Sequence, residues 1–204
     1  MDHATSEEDL RRLVDAIVAD DDALFSQMLI ASPALTIARF SQGATRQDSS
    51  RNFLAEIGQN IYAGDTALHF AAGAYRPAMV DGLIEAGADA RAKNRRGWSR
   101  LTLAAVGNPS SPRWNPVAQT ATIVRLIAGG ADPNAQNMDG ATALHRAVPT
   151  RCAAAVRALL AHGADPAIRS KSGSTALQLA SLTTGLAGLV RMRRRPSKKR
   201  FWCC

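Results

Sequence analysis

One recurring phrase constrains the fold of this chain more than any other feature. It reads Gly-Asp-Thr-Ala-Leu-His-Phe-Ala-Ala from Gly64 and returns in similar form from Gly140 and Gly173. A weaker copy, Gly-Trp-Ser-Arg-Leu-Thr-Leu-Ala-Ala, begins at Gly97. A second phrase, Gly-Ala-Asp, follows the copies that begin at Gly64, Gly97 and Gly140, at 87–89, 130–132 and 163–165. Self-similarity of this kind predicts an array of repeated structural units.

The spacing of the phrases defines the units. The units 64–96 and 140–172 are each 33 residues long, whereas 97–139 has 43. Its surplus lies at 106–116, a segment rich in the turn formers Gly, Asn, Pro and Ser. We therefore expect an inserted loop within the second unit, between its two helices.

Each unit has the signals of a helix pair. Thr66, Thr142 and Thr175 stand where a hydroxyl can cap a helix, directly before an Ala/Leu stretch. Apolar residues at helical spacing then predict a second helix, and the Gly of each Gly-Ala-Asp stands where a left-handed residue ends it. One such pair cannot bury its own apolar face, so neighbouring pairs must stack.

These phrases resemble the ankyrin repeat, and the resemblance covers 62–182. It implies an all-α ankyrin-repeat solenoid of stacked helix–turn–helix units joined by hairpin-like loops. The repeats would be 64–96, 97–139 with its insertion, 140–172 and a partial unit 173–190. Residues 1–61, which are similar to the N-terminal region of bacterial ankyrin-repeat proteins, would form a helical cap and a linker. Residues 191–204 would be a basic, disordered tail, because a run of like charges resists compaction.

Two further structural predictions concern the N-terminal region and the core. Residues 6–40 predict an irregular first helix pair capped by Ser6, and the linker 41–60 predicts one helix around 53–57. The predicted continuous core consists of Leu68, Leu83, Ile84, Leu101, Leu126, Leu144, Leu159, Leu160 and Leu177.

No catalytic or metal-binding pattern is present in the sequence. His69 and His145 belong to the repeat phrase, but Thr102 and Gln178 replace them in the other copies. Zinc requires three or four ligands, so we expect these histidines to be structural. The Asp of each Gly-Ala-Asp recurs once per unit and is expected to order a loop. The sequence thus predicts a protein that is not an enzyme, with no cofactor and no metal.

The net charge of +8 is concentrated in one place. Residues 191–200 contain seven Arg and Lys and no acidic residue, which leaves a nearly neutral body. This distribution argues against nucleic-acid binding except through 191–204. The acidic N-terminus, the absence of an apolar run near ~20 residues and three cysteines that offer neither a disulfide framework nor a CxxC pair favour the cytoplasm over secretion or a membrane.

The resemblance implies a binding surface, because ankyrin repeats typically bind proteins through their hairpin fingertips and concave face. The matching fingertip residues are Tyr62 and Asp65; Arg95, Arg96 and Trp98; Met138 and Asp139; and Lys171, Ser172 and Ser174. Trp98 either contacts the partner or covers the neighbouring fingertip. Trp114 either reaches a partner or folds back to anchor the inserted loop, where burial of its indole would be favourable.

The leading functional prediction is a monomeric, cytoplasmic scaffold that binds a partner protein. Two alternatives stay open, and both depend on the C-terminus. The basic tail could direct nucleic-acid binding or nuclear targeting, or the ending 200–204 could carry lipid, since it resembles the doubly prenylated C-termini of small GTPases. Because the repeat pattern stops after about Leu182, the tail is also interpretable as a truncated or frame-shifted remnant.

Overall fold

The computed structural model describes residues 7–45, 52–107 and 114–183. The predicted cap Ser6 and the tail 191–204 lie outside these ranges. In the described residues the helices are α1 (Glu7–Ala19), α2 (Asp22–Ala31), a short 3-10 helix (Pro33–Thr36), α3 (Ala67–Gly73), α4 (Pro77–Glu85), α5 (Arg100–Ala104), α6 (Pro116–Ala128), α7 (Ala143–Ala147), α8 (Ala153–Ala161) and α9 (Ala176–Thr183).

These helices stack in two layers. The first helices pack in the order α1, α3, α5, α7 and α9, and the second helices pack in the order α4, α6 and α8. The Phe25 ring of α2 lies against Gly82 of α4, which places α1 and α2 as a further pair at the N-terminal end. The predicted all-α solenoid of stacked pairs is confirmed, and strands in the described residues are limited to one short hairpin.

The repeated phrase produces the same helix start in each unit. Thr66 and Thr142 form capping boxes with His69 and His145, whose Nδ1 atoms accept from the threonine backbone N–H. In the last unit Gln178 takes the place of histidine, because its Oε1 accepts from the Thr175 N–H at 2.9 Å. These reciprocal bonds satisfy orphan groups at the helix terminus.

Helix ends and the loops after them are equally regular. Gly87, Gly130 and Gly163 have positive φ angles of 97°, 96° and 88°, a conformation in which glycine carries no Cβ penalty. The Asp of each Gly-Ala-Asp accepts a hydrogen bond from the backbone N–H two residues later, at 2.7–2.8 Å. The predicted loop-ordering role of these aspartates is therefore confirmed.

The predicted core is correct except at two positions. Leu68, Leu83, Leu101, Leu126, Leu144 and Leu159 are buried, and Ile84 packs against them. The prediction that Leu160 and Leu177 belong to the core is wrong, since 44% and 72% of their surfaces are exposed. Both face the end of the stack, where the described chain supplies no further helix pair to cover them. Ile84, at the position equivalent to Leu160, is covered by Gly129 of the next unit.

The linker contains a hairpin where a helix was predicted around 53–57. Strand β1 (Phe53–Leu54) pairs antiparallel with β2 (Gln59–Asn60), and Gly58 turns the chain with a φ of 64°. The Ile61 N–H donates to Asn52 O, and Ala44 N–H donates to Ile61 O. These long-range bonds, together with burial of Leu54, favour the extended conformation over the local helical pattern.

Candidate binding surface

The fingertip hairpins lie at the N-terminal ends of the first helices, and asparagine side chains shape two of them. Asn94 Oδ1 accepts from the backbone N–H groups of Arg96 and Trp98 at 2.9 and 3.1 Å. Asn137 Oδ1 makes the equivalent pair of bonds at 2.9 Å in the next unit. The hairpins are also bonded to one another, since Arg95 N–H donates to Ala63 O, Lys93 Nζ donates to Gln136 O at 2.8 Å, and Lys171 N–H donates to Asp139 O. The fingertips therefore form one hydrogen-bonded row.

Asp65 lies inside this row and not on its surface, which corrects its expected place as an exposed contact residue. Its side chain is 2% exposed, and its two carboxylate oxygens accept from Tyr62 N–H at 2.7 Å and from Asn94 Nδ2 at 2.9 Å. Burial raises the pKa of Asp65 to about 6, although these hydrogen bonds and the nearby Arg100 charge oppose the rise. Asp65 therefore positions two neighbouring fingertips.

A buried polar cluster below Asp65 was not predicted. Arg100 replaces the alanine found at this position in the other copies, and its side chain is 1% exposed. Its guanidinium donates to Ala92 O and, at 2.9 Å, to Thr66 Oγ1. Burial lowers the pKa of Arg100 to about 10. The departure of the second copy from the repeated phrase was the only sequence signal for this cluster.

His69 belongs to the same cluster. Its Nε2 lies 3.8 Å from Asp65 Oδ1, and Nε2 of His145 bonds Ser174 O of the next unit at 3.0 Å. Burial, assisted by the Arg100 charge, lowers the pKa of His69 well below its usual range, while the Trp98 backbone partly opposes the shift. Both histidines have the expected structural position, and His145 bridges neighbouring units.

Two fingertip aromatic rings are each covered by an arginine. The Arg96 guanidinium carbon lies 5.0 Å from the centre of the Tyr62 ring, and its Nη1 donates to Tyr62 Oη at 3.2 Å. The Arg146 guanidinium carbon lies 5.1 Å from the centre of the Trp98 ring. These separations are within the range of cation–π attraction. All four side chains are half-buried, so each ring and its arginine are held in place yet remain accessible.

The other predicted fingertip residues are more exposed. Arg95, Asp139, Lys171 and Ser172 have exposed side chains, Ser174 is half-buried, and Met138 is 63% exposed beside Gly97 of the preceding hairpin. The structure thus brings Tyr62, Arg96 and Trp98 together and leaves Met138, Asp139 and Lys171 further along the row.

Trp114 folds back onto the stack. Its Nε1 donates to Gln119 Oε1 at 2.9 Å, and Gln119 Nε2 in turn donates to Ala104 O at 2.8 Å. Cys152 Sγ also donates to Gln119 Oε1. The indole is half-buried against the core, so it anchors the insertion between α5 and α6. Residues 108–113 of that insertion lie outside the described ranges.

A groove of about 1270 Å³ runs over the concave side of the stack. Its walls include the β1–β2 hairpin, the fingertip residues Tyr62 and Trp98, and the ends of the first helices near Tyr75 and Thr150. Of the described aromatic residues, Phe25, Phe40 and Phe70 are buried in the core. The others, Phe53, Tyr62, Tyr75, Trp98 and Trp114, all line this groove. Large apolar rings are therefore concentrated on one accessible concave surface.

Among the described residues, no set of three or more His, Cys, Asp or Glu side chains is arranged to hold a metal ion. Among the same residues, no helix combines the length and the apolar character needed to cross a membrane.

Comparison with known proteins identifies the repeats. A family model described as ankyrin repeats (many copies) matches residues 126–180, and the ankyrin repeat model matches residues 63–95. The segment 96–125, which contains the inserted loop, lies outside both matches. A search of curated proteins found no match. Together with the stacked helix pairs and their shared capping pattern, the two family matches show that the chain is an ankyrin-repeat protein.

Proposed function

We propose that this chain is a non-catalytic scaffold that binds a partner protein through its fingertips and concave groove. Ankyrin repeats generally mediate protein–protein interaction. The observation that carries the proposal for this chain is the placement of its accessible aromatic rings. All described aromatic residues outside the core line one groove, and arginines cover two of the rings. Tyr, Trp and Arg are the side chains most enriched among binding hot spots.

The backbone of the surface supports the same proposal. The fingertip row is bonded from hairpin to hairpin, and the buried Asp65 and Asn94 join the first two tips. A surface ordered before binding loses less conformational entropy when a partner docks. The side chains expected to contact the partner are Tyr62, Arg95, Arg96 and Trp98, with Met138, Asp139 and Lys171 extending the contact along the row.

The test is an affinity capture from the source cells with the full chain and a fingertip variant, read by mass spectrometry. Replacing Arg95, Arg96 and Trp98 together by Ala should weaken binding of the captured partner by more than roughly tenfold, because hot-spot truncations each cost ~2 kcal/mol or more. The matched control is Arg157→Ala, which removes an exposed arginine from α8 in the other layer.

Circular dichroism must first establish that the triple variant is as helical as the parent. Unchanged affinity in a folded triple variant would contradict the proposal. A further variant, Trp114→Ala, would then show whether the partner binds at the inserted loop.

A further inference from the structure

The charges around the groove are divided between its two ends. Arg146, which lies on the Trp98 ring, lines the groove at its fingertip end, and Arg95 and Arg96 lie beside it on the same fingertip as Trp98. At the opposite end, beside the β1–β2 hairpin, the lining includes Asp15, Glu56 and Arg76, and the Arg76 charge is paired with Asp20. Asp65, which also borders the fingertip end, is buried and engaged by Tyr62 and Asn94. The accessible charge next to Tyr62 and Trp98 is therefore positive.

The stacked arginine at this end is well suited to bind a carboxylate. The Arg96 guanidinium lies over the Tyr62 ring and donates to Tyr62 Oη through Nη1, so Nε and Nη2 are the donors that can meet a ligand. Stacking also restricts the rotamers of Arg96, so less entropy is lost when it binds. Arg95 adds an exposed guanidinium from the neighbouring position of the same tip. Paired N–H donors of arginine match the two oxygens of a carboxylate.

From this arrangement we propose that the groove binds an acidic peptide segment of its partner. Carboxylates of the segment bind Arg95 and Arg96, and its apolar side chains lie on the accessible surfaces of Tyr62 and Trp98. The segment runs across the stack, because the groove is lined by residues from α1 at one end to α7 at the other. This proposal rests on the proposed function and specifies the chemistry of the partner.

A nucleic acid is the other polyanion that arginine–aromatic pairs can bind, but the groove favours a peptide. A phosphate chain needs a continuous positive track, because most of its affinity comes from neutralised phosphates. Asp15 and Glu56 interrupt such a track within the groove, and Asp139 interrupts it along the fingertip row. A peptide can place its acidic residues at one end only, and so it avoids these carboxylates.

Fluorescence anisotropy with defined probes tests the proposal on the full chain. The first probe is a short labelled peptide that alternates glutamate with tryptophan and leucine. Its matched peptides carry glutamine or lysine in place of each glutamate, and a single-stranded oligonucleotide serves as the fourth probe. The glutamate peptide should bind most tightly, and added salt should weaken it. Arg96→Glu should reduce that affinity by roughly tenfold or more, whereas Arg157→Glu should leave it unchanged.

Arg96→Lys separates the role of charge from that of geometry. Lysine keeps the positive charge but has neither the planar face for Tyr62 nor the paired donors. Arg96→Lys is expected to lower the affinity for the glutamate peptide severalfold, which is a smaller decrease than that expected with Arg96→Glu. If Arg96→Lys bound the glutamate peptide as tightly as the parent, the stacked-arginine geometry proposed here would be incorrect.

Several outcomes would overturn the acidic-peptide proposal while the scaffold function stands. These are equal binding of the glutamate and glutamine peptides, preference for the lysine peptide, or tighter binding of the oligonucleotide in the groove. The absence of binding by every peptide would also overturn it, provided that binding of the captured natural partner still requires Arg95, Arg96 and Trp98. Loss of that requirement would instead contradict the proposed function itself.

Discussion

The first and last copies of the repeated phrase have similar sequences but are buried to very different extents. At the N-terminal end α1 packs on α3, and Leu13, Ile17 and Leu68 are fully buried. At the other end α9 carries the same phrase as α3, yet Leu177 is 72% exposed and Leu182 is 60% exposed. In a solenoid each unit covers the face of its neighbour, so the burial of a unit depends on whether another unit is stacked against it.

The joint between the first two repeats is also more extensive than the last described joint. At the first joint, Asn94 of the second fingertip bonds the buried Asp65 of the first fingertip, and Arg100 of the second repeat bonds Thr66 of the first. At the last described joint His145 Nε2 bonds Ser174 O, and the side chain of Gln178 bonds within its own unit. The first joint therefore combines apolar packing with buried polar contacts, whereas the last joint depends on fewer contacts of either kind.

The largest expected effect is a difference in folding stability between alanine variants of two leucines at the same motif position. Leu144→Ala should destabilise the fold by about 2–5 kcal/mol, because Leu144 is 2% exposed and its truncation leaves a cavity between units. Leu177→Ala should cost about 0.5 kcal/mol or less, because most of that side chain is already in water. Chemical denaturation of both variants measures the difference. Similar losses in the two variants would show that the end of the stack is covered.

A second pair of variants compares the polar joints. Asn94→Ala should cost about 2–3 kcal/mol, because it removes the donor to the buried Asp65 carboxylate as well as the acceptor for two backbone N–H groups. Asn137→Ala removes only the equivalent backbone bonds and should cost about 1 kcal/mol. Equal losses in urea denaturation would mean that the Asn94–Asp65 bond does not stabilise the first joint.

A smaller effect should appear in the pH dependence of the first joint. His69 has a lowered pKa, so the unfolded chain binds this proton more readily, and the stability that neutral His69 provides above pH 6.5 is lost as the pH falls. Asp65 acts in the opposite sense, since its raised pKa favours the folded state as the pH falls from about 6 toward 3.8. The variant His69→Gln retains Asp65 and can keep the capping bond that Gln178 makes naturally.

The parent should therefore lose stability relative to His69→Gln as the pH falls from 7 to 5. Free energies of unfolding from urea titrations at the two pH values measure the change. A difference between the two proteins that is independent of pH would contradict a buried, neutral His69.

The last prediction needs no substitution. Amide hydrogen exchange should show α9 opening at lower free energy than α7 and α8, because marginal end repeats open before the rest of a solenoid. The backbone amides of 179–183 and of 156–161 provide the comparison. Equal protection of the two sets would mean that the last unit is held as firmly as the one before it.

Local features of the fold were predictable from the sequence. The threonine caps, the left-handed glycines, the loop-ordering aspartates and the site of the insertion all depend on residues within a few positions of one another. The fingertip residues were identified in the same way, since each occupies a fixed place in its repeat. Arg96 contacts Tyr62, and Trp98 lines the same groove as Tyr62, but whether these residues bind a partner stays a prediction.

Other features depend on contacts between distant residues. The β1–β2 hairpin forms because Ala44, Asn52 and Ile61 bond across the linker, which a helical pattern in 53–57 does not reveal. Asp65 was expected at the surface because it matches a fingertip position of the ankyrin repeat, yet Asn94 of the next hairpin and Tyr62 enclose it. No local pattern specifies that Arg100 reaches back to Thr66.

The sequence by itself thus determined the unit, because a capped helix pair is specified by hydrogen bonds and periodicity within about 33 residues. Only the tertiary structure decided which copies of a motif leucine are buried and which turn residues are accessible. The physical reason is that a side chain loses its contact with water only when another part of the chain covers it. For Leu144 that part belongs to a neighbouring unit, for Asp65 it is the hairpin that contains Asn94, and for Leu177 the described chain offers none.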